Sequence, residues 1–380
     1  MKVFYWSPHV DRVATIKAVI NSAYSMNLYS KQKFIPYLIN VAGEWDNYKK
    51  EIKKKNINII NITNSKVIKN NTKGFIKSRL VYIYIFFISF LPLLKLIKEN
   101  KPDYFIVHLI TPVPLIINFF FNFNCKFILR ISGYPKLKKL RLLFWKLVLK
   151  KIYYITCPTI STKKLLISLK LIDKKKISVL YDPIICSTDI SKELNLDNQT
   201  IEFKNFFLSV GRLTKQKNFL FLIDAFKEFN HDKKYKLLIL GDGEEKEKIQ
   251  NFIKLNNLEK TIFLIGYKKN VFKFYKNSKC FILSSLWEDP GFVLVEAAYM
   301  NTPIISSDCQ NGPKEFLNNG EGGILFNSNN KKSLISSLLN FENLSKQQLK
   351  NFKINSKKSS KKFLIFNHYK TLAYILNLHE

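Results

Sequence analysis

The chain has 380 residues, more than one compact core usually holds, so two domains of about 150 to 200 residues are expected. Its 47% hydrophobic content and the lack of any extended low-complexity segment exclude a largely disordered chain. The formal charge of +34 favours an anionic partner, although abundant Lys, Asn, Ile and Phe equally indicate an AT-rich genome. Nucleic acid is the weaker alternative, because no zinc-finger spacing, RRM signature or basic-region heptad occurs.

Cysteine usage and the N-terminus bear on the compartment. The five cysteines are scattered, without a C-x-x-C pair, which is typical of buried thiols in a reducing compartment and gives no sign of a disulfide framework or zinc site. The first residues, MKVFYWSPHVDR, have no apolar stretch of signal-peptide type and read as a first strand. A cytoplasmic protein is therefore expected.

The first half of the chain alternates short strand-like runs with longer helical patterns. The runs are KVFYW, KFIPYLINV, INIINI, DYFIVHL, KFILRIS, IYYITC and ISVLYD. This alternation predicts βαβ units around a parallel sheet. His9 in the first loop and His108 at the end of DYFIVHL are both expected at the carboxyl edge of that sheet, as catalytic candidates or as ordinary polar loop residues.

Two uncharged runs in this half approach membrane length. Residues 80–94 span 15 residues, and residues 109–125 are interrupted by Pro112 and Pro114. Both are shorter than the roughly 20 residues that a spanning helix requires. We predict core helices, with a membrane-embedded segment as the alternative.

A basic and apolar stretch follows at residues 135–151, PKLKKLRLLFWKLVLKK. At helical spacing it presents Lys138, Lys139, Lys146 and Lys150 together with Trp145. Such a helix can lie in an anionic membrane interface. The alternative is an ordinary surface helix of a lysine-rich protein.

A polar stretch at residues 182–203 is predicted to be a linker, after which the alternation restarts with NFFLSVG, YKLLILG, TIFLIG, KCFILSS and PIISSD. A helix is predicted over residues 218–229, with Asn218 as its N-cap. The chain is thus predicted to form two doubly wound α/β domains facing across a central cleft, with ligands beyond the carboxyl ends of the strands.

The loop that opens the second domain has the outline of a diphosphate site. Gly211 ends a strand, and Arg212 and Lys217 follow before a helix N-terminus, where backbone N–H groups and the helix dipole favour an anion. The next glycines, in GDG at residues 241–243, lack the third glycine of a dinucleotide fingerprint and no P-loop occurs. A dehydrogenase is therefore disfavoured.

Two glutamates stand eight residues apart in SSLWEDPGFVLVEAAYM, residues 284–300. Glu288 is expected in the loop after a strand, and Glu296 in the first turns of the following helix, which Asn301 and Pro303 end. Both can face one pocket. A carboxylate accepts two hydrogen bonds, which suits the vicinal hydroxyls of a sugar or ribose, and nearby backbone N–H groups can meet phosphates.

In this order and spacing, these motifs, with SSDCQNGPKEFLNNGEGGILF after them, resemble the C-terminal domain of family 4 retaining glycosyltransferases of the GT-B fold. The resemblance covers about residues 205–330. It implies a nucleotide-sugar donor with Arg212 and Lys217 on the diphosphate, Glu288 on the sugar and Glu296 on the ribose. Backbone N–H groups of Gly291 and Phe292 would meet the phosphates.

The sequence departs from the family at a few places. Asp289 and Pro290 replace a usual glycine and aromatic residue, the first loop lacks the usual glycine pair, and Ser132 and Gly133 stand where many members carry a histidine. Sugar specificity is therefore open, and so is the assignment of that histidine's role, for which His108 is a candidate.

The expected protein is a peripheral enzyme on the cytoplasmic face of the membrane that moves a sugar, from a UDP donor, to a lipid-linked glycan in bacterial surface polysaccharide synthesis. No D-x-D motif occurs, so no metal or other cofactor is expected. The alternatives are a nucleotide-sugar epimerase or hydrolase of the same fold, and a non-catalytic basic protein that binds membrane or nucleic acid.

The predicted first domain comprises residues 1–185, with a linker to about 204, and the predicted second domain comprises residues 205–360. A C-terminal helix is predicted at 361–380, and it can pack back on the first domain.

Overall fold

A computed structural model describes residues 1–10, 15–65, 75–135, 137–196, 201–288 and 290–377. The chain divides into two compact units. The first comprises residues 1–184 and 365–380, and the second comprises residues 185–364. The predicted boundary at 185 therefore lies one residue away from the observed one, whereas the predicted linker to 204 belongs to the second unit.

The first unit is built on a seven-stranded sheet in which every neighbouring pair is parallel. The strand order is β3-β2-β1-β4-β5-β6-β7, and buried apolar side chains cover both faces, as parallel sheets require. The strands are β1 (Lys2–Trp6), β2 (Ile35–Asn40), β3 (Asn58–Asn61), β4 (Tyr104–Val107), β5 (Lys126–Arg130), β6 (Tyr154–Cys157) and β7 (Ile177–Val179), and the helices are α1 (Thr15–Tyr29), α2 (Lys49–Lys54), α3 (Phe75–Asn100), α4 (Pro112–Phe120), α5 (Lys139–Val148) and α6 (Ile160–Ser168).

The second unit contains a six-stranded parallel sheet in the order β10-β9-β8-β11-β12-β13. Counted within the unit, this is the strand order 3-2-1-4-5-6 of the Rossmann fold. Its strands are β8 (Phe206–Val210), β9 (Lys236–Leu240), β10 (Ile262–Gly266), β11 (Cys280–Leu283), β12 (Ile304–Ser307) and β13 (Ile324–Phe326), and its helices are α7 (Ser187–Leu196), α8 (Phe219–Phe229), α9 (Lys246–Leu255), α10 (Phe272–Asn277), α11 (Phe292–Tyr299), α12 (Pro313–Phe316), α13 (Lys331–Glu342) and α14 (Lys346–Ser360).

One further helix, α15 (Ile365–Leu376), returns to the first unit, where it packs on α1. Leu372, Ile375 and Leu376 are buried in one of that unit's core clusters. His368 lies in the same interface, where its Nδ1 is 2.8 Å from the carbonyl oxygen of Tyr181 and its Nε2 is 2.8 Å from the hydroxyl of Ser22. The packing of α15 thus combines an apolar contact with a buried polar one.

The predicted fold class, two Rossmann-like doubly wound α/β domains, is confirmed. All twelve strand-like runs identified in the sequence form strands, and β13 is an addition that the sequence analysis did not predict. The predicted linker is wrong in part, because it contains helix α7. Asn218 precedes α8 as expected, but it has a φ of 55° and its side chain does not cap the helix. Its amide instead donates to Asn329 Oδ1 at 3.0 Å.

Helix α3 corrects the view that residues 80–94 form a short core helix. The helix runs for 26 residues, and Leu80–Asn100 is the one described helix that is long and apolar enough to cross a membrane. Only 28% of its most apolar window is buried, whereas a core helix is mostly buried. Helix α3 is therefore longer and more exposed than a core helix. The run 109–125 forms only the nine-residue α4, consistent with its two prolines.

Candidate functional site

The order of the strands reverses at one place in each sheet, and ligands of doubly wound folds bind at such switch points. In the second unit the switch point lies between β8 and β11, which pair in parallel. Gly211 follows β8 directly and Glu288 lies in the loop after β11. The fold thus brings together two segments that are more than 70 residues apart in the sequence.

Hydrogen bonds join these two loops. The Leu286 N–H donates to the Gln216 carbonyl at 2.9 Å, and the Gln216 side-chain amide donates to the Trp287 carbonyl at 2.8 Å. The hydroxyl of Ser284 donates to the Lys217 carbonyl at 2.8 Å. These hydrogen bonds fix the backbones of the two loops relative to each other.

Glycines allow a third loop, after β9, to pack closely on the Gly211 loop. A Cβ on Gly241 would lie 1.8 Å from the Gly211 carbonyl oxygen, and one on Gly243 would lie 2.4 Å from the Leu213 carbonyl oxygen. The Leu213 N–H also donates to the Asp242 carbonyl at 2.9 Å. The GDG segment therefore supports the Gly211 loop.

Lys217 and Glu288 form an ion pair through Nζ and Oε1. The side chains are 14% and 6% exposed, so the pair is largely shielded from water. The Ser285 hydroxyl donates to the same Oε1 at 2.6 Å. The lysine and the glutamate, expected from the sequence on different parts of a donor, are thus direct partners in the structure.

Helix α11 begins directly after this loop. Gly291 has a φ of 87° and precedes the first helical residue, Phe292. The first N–H groups of an α-helix have no acceptor within the helix. Among the described residues, the backbone N–H groups of Gly291, Phe292 and Val293 have no hydrogen-bond partner and are therefore available to an anion. Asp289 lies outside the described residues.

Glu296 is half-buried on the second turn of α11 and lies beside Tyr275 of α10. Burial raises the pKa of the Tyr275 hydroxyl well above its usual value, and the charge of Glu296 raises it further. Arg212, by contrast, is exposed and forms no ion pair within the described part of the chain. Its guanidinium is thus accessible to a ligand.

Sequence reasoning did not identify the serines of this loop, although Ser284 and Ser285 directly follow the predicted strand. Cys309, one of the five cysteines expected to be buried, is 4% exposed. Burial raises the pKa of this thiol to about 12, and the Glu288 carboxylate contributes to the shift. Polar residues placed directly after a parallel strand are the signal that could have identified the serines.

The switch point of the first unit lies between β1 and β4, and His9 and His108 follow these two strands. Both histidines are buried, with 5% of His9 and 7% of His108 exposed. His9 Nδ1 is 3.0 Å from the Ser7 carbonyl oxygen, and the His108 ring stacks on Tyr5 with a centroid distance of 6.0 Å. Burial lowers the pKa of both imidazoles, well below the usual value for His108. Both are therefore neutral at physiological pH, and the catalytic role of His108 stays a prediction.

A buried ion pair in the first unit was also missed. Arg130, the last residue of β5, donates from one terminal nitrogen to Asp182 at 2.7 Å. Its other terminal nitrogen is buried and has no hydrogen-bond partner among the described residues. The sequence signal was an arginine within the apolar run KFILRIS.

The basic stretch at 135–151 is helical over a shorter span than predicted, with α5 followed by a 3-10 turn at Leu149–Lys151; Lys136 is not described. Lys138, Lys139, Lys146 and Lys150 are exposed. The prediction that Trp145 belongs to the exposed face of this helix is wrong, because Trp145 is 2% exposed and packs in the core. The apolar side chains that α5 presents to solvent are instead Leu140, Leu143 and Leu147.

Within the described residues, no three or more His, Cys, Asp or Glu side chains come together as a metal site. Metal independence stays a prediction from the missing D-x-D motif. Arg212 and Lys217 both supply cationic groups near the second switch point.

Residues 191–359 match the family model "Glycosyl transferases group 1". This segment includes the Gly211 loop, Glu288 and α11, so the match covers the whole candidate donor site of the second unit. It supports the enzyme class that the motifs predicted.

Relatives with known names are also glycosyltransferases. The chain is 37% identical over 248 residues to an uncharacterized glycosyltransferase of Methanocaldococcus jannaschii, a match that covers 59% of this chain and 60% of the relative. It is 33% identical over 168 residues, 44% of each chain, to a Campylobacter jejuni 4-alpha-N-acetylgalactosaminyltransferase whose name specifies an undecaprenol-diphosphate-linked substrate. The chain thus spans less than two thirds of the length of these relatives.

Solved structures resemble the chain over its full length. A glycosyltransferase from Rickettsia africae has a TM-score of 0.77 at 18% identity and covers 100% of this chain, with 99% of its own length matched. Anabaena HepE, in complex with UDP, has a TM-score of 0.75 at 16% identity, with 100% of both chains covered. These likenesses show the GT-B fold.

Proposed function

We propose that this protein is a retaining glycosyltransferase of family 4 that transfers a sugar from a UDP-sugar to a lipid-linked glycan in the synthesis of a bacterial surface polysaccharide. The observation that carries the proposal is the composition of the second switch point. Two cations, a buried carboxylate and the N-terminus of α11 lie on loops that the fold holds together. Such a set matches the phosphates and hydroxyls of a nucleotide sugar.

In the proposed mechanism this chain's own residues stabilise the leaving diphosphate. Arg212, Lys217 and the N–H groups at the start of α11 supply positive charge where negative charge develops. Glu288 holds hydroxyls of the transferred sugar, and Glu296 holds the ribose. The acceptor hydroxyl attacks the anomeric carbon on the face that the diphosphate leaves, its C–O bond forming as the bond to the diphosphate oxygen breaks, and the hydroxyl proton passes to the departing phosphate.

The proposed partners other than the donor are a lipid-linked glycan acceptor and the anionic surface of the cytoplasmic membrane. The exposed lysines of α5 support the second, and the substrates named for several relatives support the first. These include an undecaprenol-diphosphate substrate in Campylobacter jejuni and a UDP-galactose donor with a diphosphoundecaprenol acceptor in Escherichia coli.

Calorimetric titration of UDP tests the donor site. We expect Glu296→Gln to weaken UDP binding by about 1.5 to 3 kcal/mol, because a charge-assisted hydrogen bond to the ribose is lost. Arg212→Ala should weaken it through the phosphates and serves as the positive control. Equal UDP affinity for wild type and Glu296→Gln would refute the ribose assignment.

Glu288→Gln separates sugar recognition from nucleotide binding. Because Glu288 neutralises Lys217, the substitution leaves the ammonium to the diphosphate, so UDP affinity should be unchanged or higher while sugar transfer is lost. Weaker UDP binding in this variant would contradict the assignment.

Sugar turnover without an acceptor would favour an epimerase or hydrolase. A protein whose melting temperature does not change with any nucleoside diphosphate would be a non-catalytic binding protein. A bound ligand at 100 times its Kd adds about 2.7 kcal/mol of stability.

A further inference from the structure

Helix α3 has two opposite apolar faces. One face packs into the core of the first unit through Val81, Ile85, Leu93 and Ile97, which are 8% exposed or less. The other face presents large apolar side chains to solvent: Leu80, Ile83, Phe87 and Leu91 are exposed by 61%, 56%, 72% and 71%. These four recur at the spacing of one helical stripe. We name this set the α3 stripe.

A second exposed stripe lies on α5, formed by Leu140, Leu143 and Leu147, of which Leu140 is 83% exposed. Helix α4 contacts both α3 and α5, so the two stripes belong to one layer of helices on the first unit. Several large apolar side chains exposed along one helix face, with a second such stripe in the same layer, indicate a binding face rather than chance exposure.

The charge around the stripes indicates what covers them. Between residues 52 and 172 the sequence has 23 Lys and Arg but only two acidic residues, Glu99 and Asp103. A second copy of this chain would bring like charges together, which is unfavourable. An anionic lipid surface offers hydrocarbon to the stripes and phosphate to the lysines beside them.

A pocket of about 630 Å³ adjoins the α3 stripe. Ile83 and Phe87 belong to both the stripe and the pocket wall, and the wall also includes Tyr82, Phe86 and Ile110. His9 also lines it, and its Nε2 is buried without a hydrogen-bond partner among the described residues. The pocket thus offers mostly apolar surface, with His9 among its few polar residues.

We infer that the α3 stripe inserts into the hydrocarbon of an anionic bilayer beside α5, and that the adjoining pocket receives a hydrocarbon chain of a lipid. The inference rests on the proposed membrane location and extends it from the lysines of α5 to α3. Helix α3 lies in the interface and does not span the bilayer, because its opposite face is fixed to the sheet of the first unit. A lipid chain in the pocket places that lipid next to the carboxyl edge of β1 and β4.

Vesicle co-sedimentation of the full chain tests insertion. We compare phosphatidylcholine vesicles with vesicles of phosphatidylcholine and phosphatidylglycerol. The variant Leu80→Ser/Phe87→Ser/Leu91→Ser alters side chains exposed to solvent, so the fold is expected to persist, and circular dichroism and UDP titration verify it. We expect binding to mixed vesicles to fall at least about tenfold, because three large apolar side chains no longer enter the hydrocarbon. The control Leu255→Ser, at an 82% exposed leucine of the second unit, should bind as wild type.

Neutralising Lys138, Lys139, Lys146 and Lys150 to Gln provides the comparison arm. If these changes release the protein from vesicles while the α3 variant binds as wild type, the α3 inference is overturned and the membrane proposal for α5 stands. If wild type is a dimer in solution and the α3 variant is a monomer with unchanged vesicle binding, a second copy covers the stripe and the inference is likewise overturned. If the wild-type protein does not bind UDP, the proposed function is refuted, whereas the vesicle-binding result for α3 is unaffected.

A photoreactive phosphatidylglycerol with a diazirine in its acyl chain tests the pocket. We expect labelled peptides to include residues 82–87 and 109–112, with the Leu255 region unlabelled. Labelling confined to residues 139–148 would show that hydrocarbon reaches α5 but not the pocket, and would overturn the inference.

Discussion

The carboxyl edges of the two sheets differ in how their polar groups are satisfied. In the second unit the carboxylate of Glu288 has a cation and a hydroxyl as partners, and glycines pack the loops tightly. In the first unit several buried polar atoms at or near the strand ends have no hydrogen-bond partner among the described residues: Ser7 Oγ, His9 Nε2, His108 Nε2, Arg130 Nη1 and Ser132 Oγ. An unsatisfied buried polar group costs about 1 to 3 kcal/mol. The second edge is therefore built for stability and a fixed geometry, whereas the first retains polar groups that a ligand can satisfy.

The largest expected effect tests the tight packing of the second edge. Gly241 has a φ of 148°, and a Cβ there would lie 1.8 Å from the Gly211 carbonyl oxygen. We expect Gly241→Ala to destabilise the second unit by about 4 kcal/mol, combining steric overlap with backbone strain. Urea unfolding measures the change.

Gly266→Ala is the matched control for that experiment. Gly266 also has a positive φ, 77°, but a Cβ there would meet nothing within 4 Å. We expect a loss of about 1 to 2 kcal/mol from strain alone. Equal effects at the two glycines would show that the close approach of the loops does not contribute.

The Lys217–Glu288 ion pair gives the next largest effect. Lys217→Met leaves a carboxylate buried without its cation, and we expect a loss of about 3 kcal/mol in the free energy of unfolding. In the double variant Lys217→Met/Glu288→Gln no buried charge is left unpaired, so part of this stability should return. Strict additivity of the two single changes in urea unfolding would argue that the pair is not coupled.

The packing of α15 on α1 is expected to make the stability of the first unit depend on pH. Burial lowers the pKa of His368 to about 3, below the ordinary value of about 6.5. Below pH 6.5 the unfolded chain binds a proton that the folded chain does not, so stability falls as the pH decreases. From pH 6.5 to pH 5 we expect a loss of about 1.5 kcal/mol from this histidine.

Comparison with His368→Gln isolates that contribution. The variant is expected to lose about 1.5 kcal/mol less than wild type over the same pH interval, whatever its stability at pH 7. Burial raises the pKa of Glu44 to about 7, which acts in the opposite direction between pH 4.5 and pH 7 but is the same in both proteins. Parallel pH curves for the two proteins would mean that His368 is not held in its neutral form.

The smallest expected effect is none. Because Arg212 and Lys217 supply the positive charge of the second edge, we expect excess EDTA to leave initial transfer rates unchanged. Activity that disappears with chelation and returns with Mn²⁺ would contradict the mechanism proposed here.

Sequence patterns predicted the two Rossmann-like domains because parallel strands buried on both faces leave continuous apolar runs. Glu288 and Lys217 were also identified, since each follows such a run. Their ion pair was not predicted, because it depends on which strands are neighbours and how the loops close, and neither property is local. Trp145 and the α3 stripe show the same limit. Residues of equal hydrophobicity lie on opposite sides of a helix, and only the tertiary structure shows which side is buried.

The return of α15 to the first unit has a consequence for synthesis on the ribosome. Residues 1–184 emerge long before residues 365–376, which supply Leu372, Ile375 and Leu376 to their core. The second unit, by contrast, is continuous in the chain and can complete its sheet while it leaves the exit tunnel. The nascent first unit therefore keeps part of its interior uncovered until residues 365–376 have been synthesised and have left the exit tunnel.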